Sequence, residues 1–258
     1  MPGFEALSPW LIAYVVVVMM VSGWVQGALG LGFPTIATPL IAAVTDIRTA
    51  IILVLLPCLA TVITNIVRGG TPQEVLLRFW WLPVWMLLGA AAGTRLFVLF
   101  PLFPYSLLLA GVILFYLNLE RIGRMEWPWM KRHDRLTGAV AGFIAGLSEG
   151  TANVAAPPLI IYLLGIGLSP LLLVPAMNLC FATGKTTQFI TLAASGTVDP
   201  VQWLMTLPLA VLAVIGSLHG ITVRSRIDGT AYRIWLKRAL LAMAVILLVQ
   251  YGYGLLAN

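Results

Sequence analysis

Long apolar runs separated by short breaks account for almost the whole chain. The runs are Trp10–Ala28, Thr49–Val67, Trp80–Phe100, Tyr105–Leu119, Leu171–Ala194, Val201–Val223 and Ile234–Leu256. A helix crossing a bilayer needs about 20 apolar residues, so this pattern predicts a bundle of spanning helices. Two further runs, Thr35–Val44 and Val154–Ile166, are too short to span. The first follows the glycine-rich stretch Gly27-Ala-Leu-Gly-Leu-Gly-Phe-Pro34. The second follows Leu136–Leu147 and the polar stretch Ser148-Glu-Gly-Thr-Ala-Asn153. Each place predicts a broken helix or re-entrant hairpin, tolerated at membrane depth where neighbouring groups satisfy the freed backbone.

The breaks recur. Gly23-x-x-x-Gly27 answers Gly142-x-x-x-Gly146, and Pro39 answers Pro158, both at an offset of 119. Asp46-Ile-Arg answers Ser169-Pro-Leu, Pro83 answers Pro208, and Gly89-x-x-x-Gly93 answers Gly216-x-x-x-Gly220 at an offset of 127. An ordered series of this kind predicts a duplication. The expected organisation is a first membrane repeat at 10–120, a linker at 121–135 and a second repeat at 136–256.

Composition narrows the class. Of the 258 residues, 60% are hydrophobic and 9% charged, against about 25% charged in a soluble domain. Mean hydropathy is +1.00. A soluble enzyme, a nucleic-acid binder and a disordered chain are excluded. The net charge of +6 is too sparse to build a basic face for nucleic acid. It has a different use as an orientation signal. Twelve of the fifteen basic residues fall in three places: Arg68 and Arg78; Arg121, Arg124, Lys131, Arg132 and Arg135; Arg224, Arg226, Arg233, Lys237 and Arg238. These loops are expected in the cytoplasm, with 101–104, 195–200 and both termini outside. Met1–Pro9 carries Glu5 and no Lys or Arg, so the run from Trp10 reads as a membrane segment rather than a cleaved signal. Each half then makes an odd net number of crossings, which makes the repeats inverted. The expected fold is an all-α polytopic membrane protein of two inverted-topology repeats, each with a broken or re-entrant hairpin and about three further helices. In such architectures the substrate site lies near the midplane, at the breaks.

On these residues the chain resembles the sulfite exporter family, TauE/SafE. The likeness rests on Gly23-x-x-x-Gly27-x-x-Gly30-x-Gly32-Phe33, Pro39 and Asp46-x-Arg48. In the second half it rests on Gly142-x-x-x-Gly146, Pro157-Pro158 and Leu168-Ser169-Pro170. It covers nearly the whole chain. The chain departs from the family pattern at Glu149-Gly-Thr-Ala-Asn-Val-Ala-Ala, where a glycine cluster is usual. The resemblance implies secondary transport of small anions such as sulfite or organosulfonates, in a bacterial inner membrane. The expected partners are a small anionic substrate and the lipid bilayer, with a homodimer left open, no nucleic acid and no cofactor or metal.

Lys185 is the leading candidate for chemistry. It sits inside Leu171–Ala194, where a charge costs about 2.5–3.5 kcal/mol on insertion scales. It is expected to contact the anion; a structural pair with Glu149 is the plainer reading. Glu149, at the second break, is the proton-coupling candidate, because burial disfavours a charged carboxylate. Asn153 and Thr151 offer donors there, beside the free amides that open Val154–Ile166. Gly30, Gly32 and Thr35 are the first-half counterpart, with Gln26 beside them. Close helix packing explains those glycines equally well. Asn65 and Gln188 occupy comparable places in the long helix of each half, where interhelical hydrogen bonding is the commoner use. Arg95 is expected to snorkel, and His219 to be packed or hydrogen-bonded.

Gly146-Leu-Ser-Glu-Gly150 is a literal G-x-S-x-G, and with His219 it suggests an intramembrane serine hydrolase. That motif has meaning only on a strand-to-helix turn, and glycine-rich sequence produces it easily. No enzyme is expected. A passive anion channel is the alternative transport reading.

Overall fold

The computed structural model describes residues 9–42, 44–45, 47–69, 73–100 and 127–224, with isolated helical positions between 234 and 252. The first half contributes α1 (Pro9–Leu29), α2 (Phe33–Ala42), α3 (Ile47–Gly69), α4 (Gln73–Phe79) and α5 (Leu82–Leu99). After α6 (Pro128–Arg132), the second half contributes α7 (Asp134–Ala152), α8 (Ala156–Gly165), α9 (Pro170–Ala194), α10 (Pro200–Met205) and α11 (Leu207–Arg224). Among the described residues every regular element is helical. Four stretches are long and apolar enough to cross a membrane: Pro9–Leu29, Ile47–Gly69, Leu82–Leu99 and Pro200–Arg224. The expected helix at Tyr105–Leu119, most of that at Ile234–Leu256, and both termini lie outside the described residues.

The two halves share one order of elements, but in a register one turn away from the expected one. Leu29, Phe33, Ala42 and Ile47, which bound the first break, α2 and α3, are matched by Ala152, Ala156, Gly165 and Pro170. That offset is 123, not 119. The slip has a simple cause. Gly138, Gly142, Gly146 and Gly150 recur every fourth residue, so a Gly-x-x-x-Gly pair can be laid on them in three ways. The partners of the glycines select one. A Cβ on Gly23 or Gly27 would overlap the backbone of Ala213 or Ser217, and one on Gly146 or Gly150 would overlap that of Met86 or of Ala90 and Thr94. The reverse contacts put Gly216 and Gly220 on the carbonyls of Met20 and Trp24, and Gly89 and Gly93 on those of Phe143 and Leu147.

The halves therefore interlock. α1 packs closely on α11, and α5 on α7, in the two most extensive helix contacts of the fold. Small residues permit this approach of backbones, which is how helices associate when lipid is as apolar as their own side chains. α11 also packs on α3, and α5 on α9, while α2 lies on α1 and α3, and α8 on α7 and α9. Two bundles result, α1–α2–α3–α11 and α7–α8–α9–α5, meeting where α3 packs on α9. The outer faces stay apolar: Val17 and Val21 on α1, Leu87 and Leu88 on α5, and Val211 and Ile215 on α11 are exposed. A surface of this kind suits a bilayer.

Local chemistry sets the element ends. Trp80 and Trp81, the first two residues of the expected Trp80–Phe100 run, form a turn, so α5 begins at Leu82 with Pro83 in its first turn. Proline is suited to that place because it has no N–H to leave unpaired. α7 begins at Asp134, inside the expected 121–135 linker. Both breaks are shorter than the polar and glycine-rich stretches suggested. α1 continues through Gly27 to Leu29, and α7 continues through Ser148, Glu149 and Thr151 to Ala152.

Gly27→Ala should open the α1–α11 contact and destabilise the purified protein by about 1–3 kcal/mol, as overpacking does. Gly252→Ala, in a helical position with no described residue within 4 Å of its Cβ, should be neutral or better. Thermal unfolding in detergent measures both, and equal losses would contradict the close contact.

Candidate functional site

Lys185 lies midway along α9 with none of its surface exposed. Its ammonium pairs with the Glu149 carboxylate, donates to Asn153 Oδ1, and donates to Gln188 Oε1 at 3.0 Å. Two of its N–H donors are hydrogen-bonded, to Asn153 and Gln188, and the Glu149 oxygen is held by charge alone. The helix geometry explains the gathering. Gln188 is one turn beyond Lys185 and reaches back. Glu149 and Asn153 are one turn apart and so share a face of the chain leaving α7. Gly184 brings the elements together: a Cβ there would press on Met86 and stand 3.4 Å from Glu149 Cγ. Gln188 Nε2 donates to the Glu149 carbonyl at 3.2 Å, completing a closed polar centre. Glu149 is 1% exposed, and Asn153 and Gln188 are fully buried.

Asn153 closes the second break. Its φ of 61° is left-handed, a conformation that asparagine tolerates better than other side chains. Its N–H donates to the Glu149 carbonyl at 3.1 Å. Its side-chain amide donates to Thr38 Oγ1 at 2.8 Å, so the second break touches α2 of the other bundle. The matching residue in the first break is Gly30, with φ 77°. A Cβ on Gly30 would overlap Val174 of α9, so glycine is needed there for space as well as for conformation.

Gln26 is the first-half counterpart of Glu149. Its Oε1 accepts from Phe33 N at 3.1 Å, and its Nε2 donates to Asn178 Oδ1 and to the Gly30 carbonyl, both at 3.3 Å. The amide opening α2 is thus already satisfied, and Pro34 follows it without an N–H. At the opening of α8, Pro157 and Pro158 likewise remove two donors. The expected anion site from free helix-terminal amides is therefore reduced in both halves, and the charged side chains dominate instead.

The other expected residues divide. Gln188 and Asn153 join Lys185 directly. Gln26 and Gly30 adjoin α9 about two and three turns away from Lys185, through Asn178 and Val174. Thr35 donates to the Gly32 carbonyl at 2.8 Å, and Thr151 to the Leu147 carbonyl at 2.8 Å, so both hydroxyls are engaged locally. Asn65 belongs to a second centre: it donates to the Thr61 carbonyl at 2.9 Å and to Ser217 Oγ at 3.1 Å, and accepts from Arg224. Arg224 also donates to the Gly27 carbonyl at 2.6 Å. Arg224, expected as an orientation signal, folds back to join α11, α1 and α3. Thr38 and Asn178 were not anticipated either, although Asn178 lies two turns from Lys185 on the same helix. His219 is exposed on α11 rather than packed, and Arg95 is exposed as expected. Gly146-Leu-Ser-Glu-Gly150 is helical, so its serine is on no strand-to-helix turn, and His219 belongs to the other bundle.

Beyond Lys185 along α9, an apolar seal joins the bundles. Ile52 and Leu55 of α3 cluster with Leu192, Val198 and Trp203. Arg48 lies over the Phe97 ring, 5.7 Å from its centroid. On the other side of Lys185 the bundles meet through the Gln26–Asn178 contact.

Lys185→Met should leave a buried carboxylate without its cation and destabilise the protein by about 3–5 kcal/mol. Glu149→Gln combined with Lys185→Met should recover most of that loss. Unfolding midpoints of the single and double variants in detergent measure the coupling, and simple additivity would rule out the pair as a unit.

Comparison with curated proteins and comparison with solved structures each returned no match. The model of the sulfite exporter TauE/SafE family matches residues 15–251, a stretch that contains both glycine-packed helix pairs, both breaks and Lys185. The chain is a member of the sulfite exporter TauE/SafE family.

Proposed function

We propose that the protein is a secondary transporter, and an exporter, of small sulfur-containing anions such as sulfite or organosulfonates across a bacterial inner membrane. The observation that carries this reading is the fully buried Lys185 ammonium, held where the second break meets the facing bundle. A buried intramembrane cation is a functional site by default, and the family is one of anion exporters. In this reading Lys185 supplies the charge that binds the anion, with Asn153 and Gln188 as hydrogen-bonding neighbours. Glu149 is the group that carries a coupling proton.

The interlocked halves suit alternating access. In the proposed arrangement they are inverted repeats, and the two bundles rock against each other about the α3–α9 contact. The apolar seal at Ile52, Leu55, Leu192 and Val198 closes one approach to Lys185, and the Gln26–Asn178 region closes the other. A continuous channel would need both open at once, so a carrier fits this packing better than a passive pore. The proposed orientation puts the 127–135 segment in the cytoplasm, and 195–200 and both termini outside.

Purified protein should bind sulfite or a small sulfonate such as isethionate more tightly than a carboxylate of similar size. Lys185→Ala should weaken that binding by about 10- to 100-fold, the worth of one charge-assisted hydrogen bond. Equal binding by wild type and variant would remove Lys185 as the anion contact.

Topology has its own test. Cys58 and Cys180 are buried, so single cysteines can be introduced against a quiet background. Trp129→Cys should react with an impermeant thiol reagent only from the cytoplasmic side, and Gly196→Cys only from outside. Reaction of both from one side would overturn the inverted arrangement.

A further inference from the structure

We propose that the anion loads by exchange with Glu149: it takes the carboxylate's place on the Lys185 ammonium, and Glu149 takes up one proton as it leaves. This rests on the reading of Lys185 as the substrate cation. Glu149, Asn153 and Gln188 surround the fully buried ammonium: Asn153 and Gln188 accept hydrogen bonds from it, and Glu149 pairs with it through an oxygen that makes no hydrogen bond. An incoming anion must therefore displace one of the three oxygens.

Glu149 is the one whose displacement keeps the site neutral. If Asn153 or Gln188 gave way, two anions would share one cation away from water, and a buried charge without its own partner is strongly disfavoured. If Glu149 gives way and remains ionised, its carboxylate is left in the same dry place. With one proton added, the balance closes. Before loading, the centre holds one ammonium and one carboxylate. After loading, it holds one ammonium, one bound anion and one neutral carboxylic acid. The only bond formed is the O–H of Glu149, and anion and proton enter or leave together.

The groups around Glu149 agree with this assignment. α9 presents Lys185. α3 contributes the buried Cys58 thiol, which carries no charge as a thiol. α5 presents Met86 and Ala90 there, and its Arg95 is exposed. α2 presents Thr38, and the titratable side chain of α8, Tyr162, donates to Asp134 at the far end of α7 at 2.6 Å. Lys185 is thus the cation beside Glu149 among the described residues. The first half supplies an internal control. Its residue at the matching position is Gln26, a neutral isostere of a protonated glutamate, buried and accommodated by the same local fold.

The exchange also selects by acidity. A sulfonate beside a newly formed carboxylic acid stays ionised, whereas a carboxylate substrate can itself take the proton. Sulfonates and sulfite are favoured as pH falls.

Isethionate tests this, because its sulfonate does not titrate near neutrality. Calorimetric binding to the purified wild-type protein, in buffers of different protonation enthalpy, should show about one proton absorbed per anion, with affinity rising about tenfold for each unit fall in pH. Glu149→Gln should bind isethionate with no proton uptake and a flat pH profile. Binding by wild type without proton uptake overturns the exchange and leaves the transport reading standing. Absence of isethionate and sulfite binding by wild type at every pH overturns both. The wild-type proton count decides the matter even where the variant folds poorly.

Discussion

Backbone-to-backbone contact at glycine is the constraint on which the rest of this structure depends. Two helix pairs, α1 with α11 and α5 with α7, approach so closely that carbonyl oxygens of one helix sit where side chains of the other would be. Each pair takes one helix from each half, so neither bundle can form from one half alone. The same contact aims the polar residues. Gln26 precedes Gly27, and Glu149 precedes Gly150. Successive residues of a helix are about 100° apart. A glycine face turned to the partner helix therefore turns the preceding side chain toward the interior, where Asn178 and Lys185 meet them.

The polar centres show how one backbone plan holds different chemistry. Asn65 and Gln188 occupy matching places, 123 residues apart, yet bond to different cations. Asn65 accepts from Arg224, whose long side chain returns from the end of α11. Gln188 accepts from Lys185, which arises one turn earlier on its own helix. The matching position for Lys185 in the first half is Val62, and that for Glu149 is Gln26. Carboxylate and ammonium are present together in one half and absent together from the other. Each would be expensive to bury alone, so they behave as a unit. The departure from a glycine cluster at Glu149–Asn153 supplies both the carboxylate and the amide that hold Lys185.

Much of this was legible in the sequence, and the limits have physical causes. Length and apolarity identify the helices, because the bilayer sets a minimum span. The short runs before Val44 and Ile166 mark the two broken pairs, because a helix of ten residues cannot cross. Lys185, Glu149, Asn153 and Gln188 could be chosen because polar groups are rare in such a chain. Register was not legible. Four glycines spaced by four residues offer equivalent alignments, and only their partners distinguish them. The extent of the breaks was also hidden: Ser148, Glu149 and Thr151 are polar yet complete a helix, since a polar residue at a helix end need not interrupt it. Arg224 shows the limit of reading by class. Its position beside other basic residues marks an orientation signal, while its guanidinium reaches the Gly27 carbonyl 197 residues earlier.

The placement of the charges bears on how the molecule can move. Lys185, Glu149, Asn153 and Gln188 all belong to the bundle containing α7 and α9. Between the two bundles, the hydrogen bonds from this region include those of Asn153 with Thr38 and of Gln26 with Asn178. Each joins neutral side chains, worth about 1 kcal/mol net. Severing the ion pair would cost several times more, about 3–5 kcal/mol when one partner is removed. In the proposed transport cycle, separation between the bundles leaves Lys185 and Glu149 together on one body. The ion pair would then serve binding, where the proposed exchange acts, and the parting would fall to the apolar cluster near Leu192 and to the neutral contacts between the bundles.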